Sequence, residues 1–284
     1  MLVGRRIDRR QVNSYLQDKH TSKEYLMNRI LYIIAIFMIA TGYVQAQNSP
    51  SNRNPNFFNT DIDYSVQAQF SIGGSSPLGL PKTIRKIESY NPGLQVGLEA
   101  NATKWLQENK KWGIRTGIRF ETKGMKTEAR VKNYLTEIVK DNSKVKGYYT
   151  GKVETNVQNT YLTLPVLAVY RLSDHWNLYG GLYFSALLDN TFDGNVSDGY
   201  LRQNTPVGTK ITFEEGSQAS YDFSDNIRKF QWGTQLGAEW KMNRHFKLLS
   251  DLTYGFNNIL EKDFTSIDFG MHNIYLNVGF GYNF

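Results

Sequence analysis

The 284-residue chain closes on Asn273-Ile-Tyr-Leu-Asn-Val-Gly-Phe-Gly-Tyr-Asn-Phe284. Ile274, Leu276, Val278, Phe280, Tyr282 and Phe284 take every second position, with Tyr275, Asn277, Gly279, Gly281 and Asn283 between them. A period of two is that of a β-strand, because successive side chains point to opposite faces of the pleat. One face of this strand meets an apolar medium and the other a polar one.

Working back through the chain, the pattern returns over Ile62–Ile72, Leu94–Asn101, Trp112–Glu121, Tyr161–Leu172, Trp176–Leu188, Phe230–Lys241 and Phe246–Asn257. With the final run this gives eight strands, close to the ~10 residues a tilted membrane strand needs. The links alternate in size. Ser173–His175 and Met242–His245 are tight turns and Thr103–Lys110 is modest, whereas Gly73–Asn91, Lys123–Val157, Asn190–Arg228 and Asn258–Met271 are long.

Alternation alone leaves two arrangements open: a soluble lipocalin-like barrel or sandwich with its apolar face inside, and a membrane barrel with that face outside. Four features favour the second. The polar faces mix Gly, Gln and Asn with charges of both signs, which suits a narrow interior filled by side chains. Trp112, Trp176, Phe230, Trp240, Phe246, Tyr282 and Phe284 sit near the ends of the apolar runs, where interfacial girdles lie. The last run ends on an aromatic residue, and a secretory signal precedes the first. The expected fold is all-β: an eight-stranded antiparallel up-and-down transmembrane β-barrel with short periplasmic turns and long extracellular loops. In hydrocarbon every backbone N–H and C=O must be paired, so the last strand is expected to close against the first.

Met27–Ala46 carries a basic start, an apolar run from Ile30 to Ala40 and a Val-Gln-Ala ending, the three parts of a signal peptide. The expected organisation is an upstream extension at 1–26 arising from a gene-start error, a cleaved signal peptide at 27–46, a short periplasmic segment at 47–61 and the barrel at 62–284. The expected location is the outer membrane of a Gram-negative bacterium. The formal charge of +7 falls to +3 once residues 1–46 are set aside, leaving 26 basic against 23 acidic residues, so nucleic acid is not an expected partner. Without cysteine there is neither a disulfide framework nor a thiolate metal site.

Tyr161-Leu-Thr-Leu-Pro-Val-Leu-Ala-Val-Tyr170, Tyr179-Gly-Gly-Leu-Tyr-Phe-Ser-Ala-Leu-Leu188, Trp232-Gly-Thr-Gln-Leu-Gly-Ala-Glu239 and the aromatic final run resemble the PorT-like outer-membrane β-barrel family of Bacteroidetes. The resemblance covers Ile62 to Phe284 and implies a barrel fold. It carries little about function, although the family's namesake is a component needed for protein secretion.

Glu99, Arg115, Arg119, Glu121, Glu239 and Asp251 fall on the polar faces and are expected to form a neutralising network across the lumen. Pro165 cannot donate to a ladder and is expected to mark a bulge. Lys126, Arg130, Lys132, Lys144 and Lys146, with Asp193 and Asp198, belong to two links of roughly 35 and 39 residues and are candidates for an extracellular surface. These links could pack on each other or meet anionic lipopolysaccharide. Asp193–Gly199 echoes a calcium loop, but Asx/Gly turn chemistry explains it more simply. A lipid-modifying hydrolase would need a His, Ser and carboxylate together; only His272, with Ser266 and Asp268 near it in sequence, could supply them, since His175 and His245 fall in turns.

The expected role is therefore non-enzymatic, without cofactor or metal: binding or interaction, or an accessory to an envelope or protein-secretion complex. A lipid A-modifying enzyme and a small-solute pore are the alternatives. Expected partners are outer-membrane lipid and lipopolysaccharide, the barrel-assembly machinery during insertion, and an envelope or secretion-complex protein.

Overall fold

A computed structural model describes residues 61–106, 109–140, 143–213 and 216–284. The expected extension, signal peptide and nearly all of the 47–61 segment lie outside them. Among the described residues eleven strands form one antiparallel sheet: β1 (Ile62–Ser76), β2 (Ile84–Asn91), β3 (Gln95–Trp105), β4 (Trp112–Lys140), β5 (Ser143–Arg171), β6 (Trp176–Gln203), β7 (Lys210–Thr212), β8 (Gln218–Asp222), β9 (Phe230–Lys241), β10 (Phe246–Gly255) and β11 (His272–Asn283).

The pairings return on themselves. β1 pairs with β3, β3 with β4, β4 with β5 and β5 with β6. β6 then pairs with β9, β9 with β10, β10 with β11, and β11 with β1. The opening stretch is the closing strand, running from Ser76 opposite His272 to Ser65 opposite Asn283. Its alternate residues Leu276, Val278, Phe280, Tyr282 and Phe284 are exposed and Ile274 is half-buried, while Tyr275, Asn277, Gly279 and Gly281 face inward.

The outward-facing aromatics, exposed or half-buried, collect at two levels. At the end with the short turns, Trp112 meets Tyr170 at 4.7 Å, Trp176 stacks on Trp240 at 6.4 Å, and Tyr282 lies between Phe246 and Phe284 at 5.4 Å from each. At the other level Phe184 stacks on Phe230 at 6.4 Å and Trp232 abuts Phe256 at 5.0 Å. Phe230 and Trp240 mark the two levels on a single strand. At ~3.3 Å per residue and a tilt near 40°, they stand about 25 Å apart in height, the thickness of a barrel's apolar band.

Three expectations change. The links 123–157 and 190–228 are largely strand rather than loop. β4 and β5 run on as a long hairpin and β6 continues alongside, because these segments, rich in Thr, Val and Tyr, bury a core of their own. Lys126, Arg130, Lys132, Lys144, Lys146, Asp193 and Asp198 thus stand on strands. Within β6, Asp193 and Asp198 are five residues apart on extended chain, about 16 Å, too far to share one ion and not in a turn. Pro165, finally, makes no bulge. The β4–β5 register is unchanged on either side of it, from Thr116 opposite Val166 to Arg119 opposite Thr163, and pairing lapses only at Gly117 and Ile118. Gly117 stays in register with Asn101 of β3, so the proline interrupts the ladder between β4 and β5 without displacing either strand.

Candidate functional site

Inside the ring the polar faces converge, and the six expected network residues are all buried there. Arg115 grips Glu239 with both terminal nitrogens at 2.9 Å, and its Nε donates to Thr103 Oγ1 at 2.9 Å. Asn177 donates to the same carboxylate at 2.7 Å and Lys247 Nζ at 3.1 Å. One level higher, Arg119 donates to Glu99 and, at 3.0 Å, to Gln235, and lies 3.6 Å from Glu121. Glu121 also accepts from Thr163 at 2.7 Å and pairs with Lys123 at 3.1 Å. Asp251 accepts from Asn277 at 2.6 Å and from the Tyr179 hydroxyl at 2.9 Å.

Two members escape a reading of the pattern. Lys123 belongs to the lumen rather than to a loop: its Nζ sits over the ring of Tyr183 at 4.9 Å and that of Tyr275 at 5.6 Å. Lys247 completes the set. Arg115, Arg119, Lys123 and Lys247 then balance Glu99, Glu121, Glu239 and Asp251, so among the described residues the buried charges of the lumen cancel and each has a partner or a hydrogen bond. Lys247 was legible in principle, since it shares the polar face with Asp251 four residues on. Buried charges require such pairing, and here it fills the passage with side chains.

At the short-turn end the lumen opens into a cavity of about 550 Å³ lined by Asp63, Arg115, His175, Glu239, Lys241 and Arg244 among others. His245 stacks on Tyr282 at 5.3 Å, outside the lumen. At the opposite end His272 Nδ1 lies 2.9 Å from the Gly255 carbonyl oxygen, while Ser266 Oγ donates to Glu137 at 3.4 Å. The candidate His-Ser pair is thus engaged with two different partners.

Beyond that end, the extensions of β4, β5 and β6 join β7, β8 and the 256–271 segment around a second core. Ile138, Val153, Val157, Phe192, Val196, Leu201, Phe213, Tyr221, Phe223, Ile259, Leu260 and Met271 are among its buried members. β8 fastens the assembly, pairing with β6 over Gln218–Asp222 and with β4 at Val139–Ser220. The candidate surface residues decorate its outside. Arg130 donates to Glu88 at 2.9 Å, holding that carboxyl below the usual carboxylate range. Lys152 pairs with Glu128 at 2.9 Å, which raises the lysine above its ordinary value. Lys144 reaches Glu137 at 3.5 Å, Lys146 donates to Thr265 at 2.7 Å, and Asp193 accepts from Asn156 at 3.0 Å. Asp198 is exposed with φ 53°.

The family described as outer membrane protein beta-barrel domain matches residues 45–261. The chain belongs to that family. This outer membrane barrel gave no match among curated proteins. Among solved structures it is similar to Ail, the attachment invasion locus protein of Yersinia pestis, at 13% identity and a TM-score of 0.33 over 78% of this chain and 97% of that one. It is similar to OprG from Pseudomonas aeruginosa at 11% identity and a TM-score of 0.29, covering 78% and 95% of the two chains. The outer membrane protease OmpT from Escherichia coli matches at 11% identity and a TM-score of 0.32, over 82% and 100%.

Proposed function

We propose that this outer membrane barrel crosses the bilayer as the eight strands of the ring, with its short turns in the periplasm and its extension outside, and that it works without catalysis by binding a partner through that extension. The observation that carries the reading is the contrast between the halves: a lumen packed with paired charges beside an outer half that keeps a hydrophobic core of its own. A conducting channel would need an open lumen, and a mere tether would need no folded outer half. On this reading residues 27–46 are a cleaved signal peptide, the chain is a PorT-like protein of Bacteroidetes, and its partner is a component of an envelope or protein-secretion complex embedded in the surrounding lipopolysaccharide.

An epitope inserted at Val207, 86% exposed in the turn between β6 and β7, should be labelled by antibody on intact cells. Mild-detergent extraction through the same tag should bring a stoichiometric envelope protein with it. Failure to label intact cells would overturn the orientation, and emergence alone would remove the complex from the proposal. In planar bilayers the purified protein should show no discrete conductance, whereas regular unitary steps would make it a pore.

The lipid-facing assignment has its own test. Leu276→Arg places a charge on the exposed face of the closing strand and should lower unfolding free energy in lipid vesicles by about 2–4 kcal/mol. If that face met water the change would stay within about 0.5 kcal/mol.

A further inference from the structure

Around the outer ends of β4, β5 and β6 the sheet is dented. Register shifts fall between Val131 and Tyr134 on β4 and between Thr150 and Lys152 on β5, and Asn133 and Asp198 hold left-handed backbone at φ 57° and 53°. Bulges of this kind bend a sheet and re-aim its side chains. Here they leave an open cleft of about 410 Å³ on the face turned away from the apolar core, lined by Arg85, Lys132, Tyr148, Tyr200 and Arg202 with Asn133, Thr150 and Pro206. Among the described residues no carboxylate lines it.

The charge is concentrated as well as one-signed. Lys210 of β7 lies 4.5 Å above the Tyr200 ring and the Arg202 guanidinium 5.6 Å from it. Among the described residues, none of Arg85, Lys132, Arg202 and Lys210 has a carboxylate within ion-pair distance, whereas neighbouring Arg130 and Lys152 do. A hydrogen bond with Thr150, then the two nearby cations, holds the Tyr200 phenol below its ordinary pKa. Arg202 Nη1 donates to the Gly208 carbonyl at 3.2 Å, which leaves its charge without a carboxylate among the described residues. Flat rings beside cations so placed match a sugar ring carrying an acidic group. The ring's apolar face packs on tyrosine and the anion takes charge-assisted hydrogen bonds, which arginine forms best.

We propose that this cleft binds an anionic saccharide, the acidic group held by Arg85, Lys132 and Arg202 and the sugar ring seated on Tyr148 and Tyr200. The proposal rests on the reading above that the extension faces outward and binds. Height decides between saccharide and lipid headgroup. Tyr148 lies fourteen residues beyond Leu162, the last exposed apolar residue of the membrane-facing part of β5, which is about 45 Å along the strand and, at a tilt near 40°, about 35 Å in height, beyond reach of headgroup phosphates.

The test uses the whole protein in detergent, with dextran sulfate oligosaccharide as probe against neutral dextran and inorganic sulfate. Saturable binding is expected for the first alone. The triple substitution Arg85→Ala, Lys132→Ala, Arg202→Ala should weaken it at least about tenfold, and Tyr200→Ala, which removes no charge, about fivefold. Lys126→Ala with Lys144→Ala removes charge elsewhere on the extension and should leave binding within twofold. Retention of the heat-dependent gel shift in every variant separates loss of the cleft from loss of the barrel. Equal weakening by the remote pair, or none by the triple variant, would overturn the cleft. Intact cells should bind fluorescent dextran sulfate in the same order; binding by purified protein but not by cells would break the outward orientation, whereas absence of binding in both overturns the saccharide site alone. Protein that leaves its own membrane carrying acidic glycan would make the ligand the cell's own surface polysaccharide, and bare protein that binds the added probe would make it a glycan met from outside.

Discussion

Replacing Glu239 with alanine should lower the stability of the barrel by about 3–5 kcal/mol, measured by denaturant unfolding in lipid vesicles. The carboxylate is the single anion between two buried cations: it takes both terminal nitrogens of Arg115 at 2.9 Å and Lys247 at 3.1 Å, with Asn177 as a further donor. Its loss leaves a buried guanidinium and a buried ammonium facing each other at the inner end of the short-turn cavity. The cost is that of two uncompensated charges more than of one lost pair. Two variants isolate the cause. Glu239→Gln keeps an acceptor of the same shape and should lose less, and Lys247→Met added to Glu239→Ala should recover part of the loss by removing one stranded cation. A loss under about 1 kcal/mol for Glu239→Ala would mean that the lumen is wet enough to screen these charges.

The ring was legible in the sequence and the extension was not, for a physical reason. A strand between lipid and a polar lumen shows full contrast between its faces, as Leu276 and Asn277 do. In the extension both contrasts fade. On the inward face of β5, Val153 and Val157 are separated by half-buried Thr155, and the outward face is half-buried too, so apolar residues recur every fourth position instead of every second. The bulge opposite Thr150–Lys152 then shifts the parity on β6, and Leu201, on the same buried core as Phe192 and Val196, falls out of step with any template of fixed period. The lysines made the segment look like solvated loop. Their partners, Glu128 for Lys152 and Glu137 for Lys144, lie on the neighbouring strand, and that adjacency exists only after folding. Lys123 was lost to the same segment boundary, two residues beyond Glu121 with which it pairs.

Phe223→Ala is expected to melt the extension while the barrel beneath it persists. Phe223 is buried where β8 gives way to the turn before β9, with its ring 4.9 Å from Phe264, 5.0 Å from Tyr221 and 5.9 Å from Phe192, and its N–H donating to the Phe192 carbonyl at 2.7 Å. It thereby joins β6, β8 and the 256–271 segment in one cluster. Truncating a buried phenylalanine costs about 3–5 kcal/mol, and each aromatic pair adds about 0.5–1.5. A core as small as this one is expected to hold little more stability than that, whereas the ring below is closed by its own ladder and its own ion pairs, none of which involves Phe223. Trypsin should therefore cut the variant at Lys210, Arg228 and Lys229 at least tenfold faster than the parent, while the ring keeps its heat-dependent gel shift. Simultaneous loss of the shift would make the two halves one cooperative unit, and unchanged proteolysis would mean that strand pairing alone holds the extension. The outcome also bears on binding. The cleft is shaped by bulges in strands whose opposite face packs on this core, so melting the core should abolish dextran sulfate binding without touching a cleft residue; binding that survived would have to come from charge alone, with no formed site.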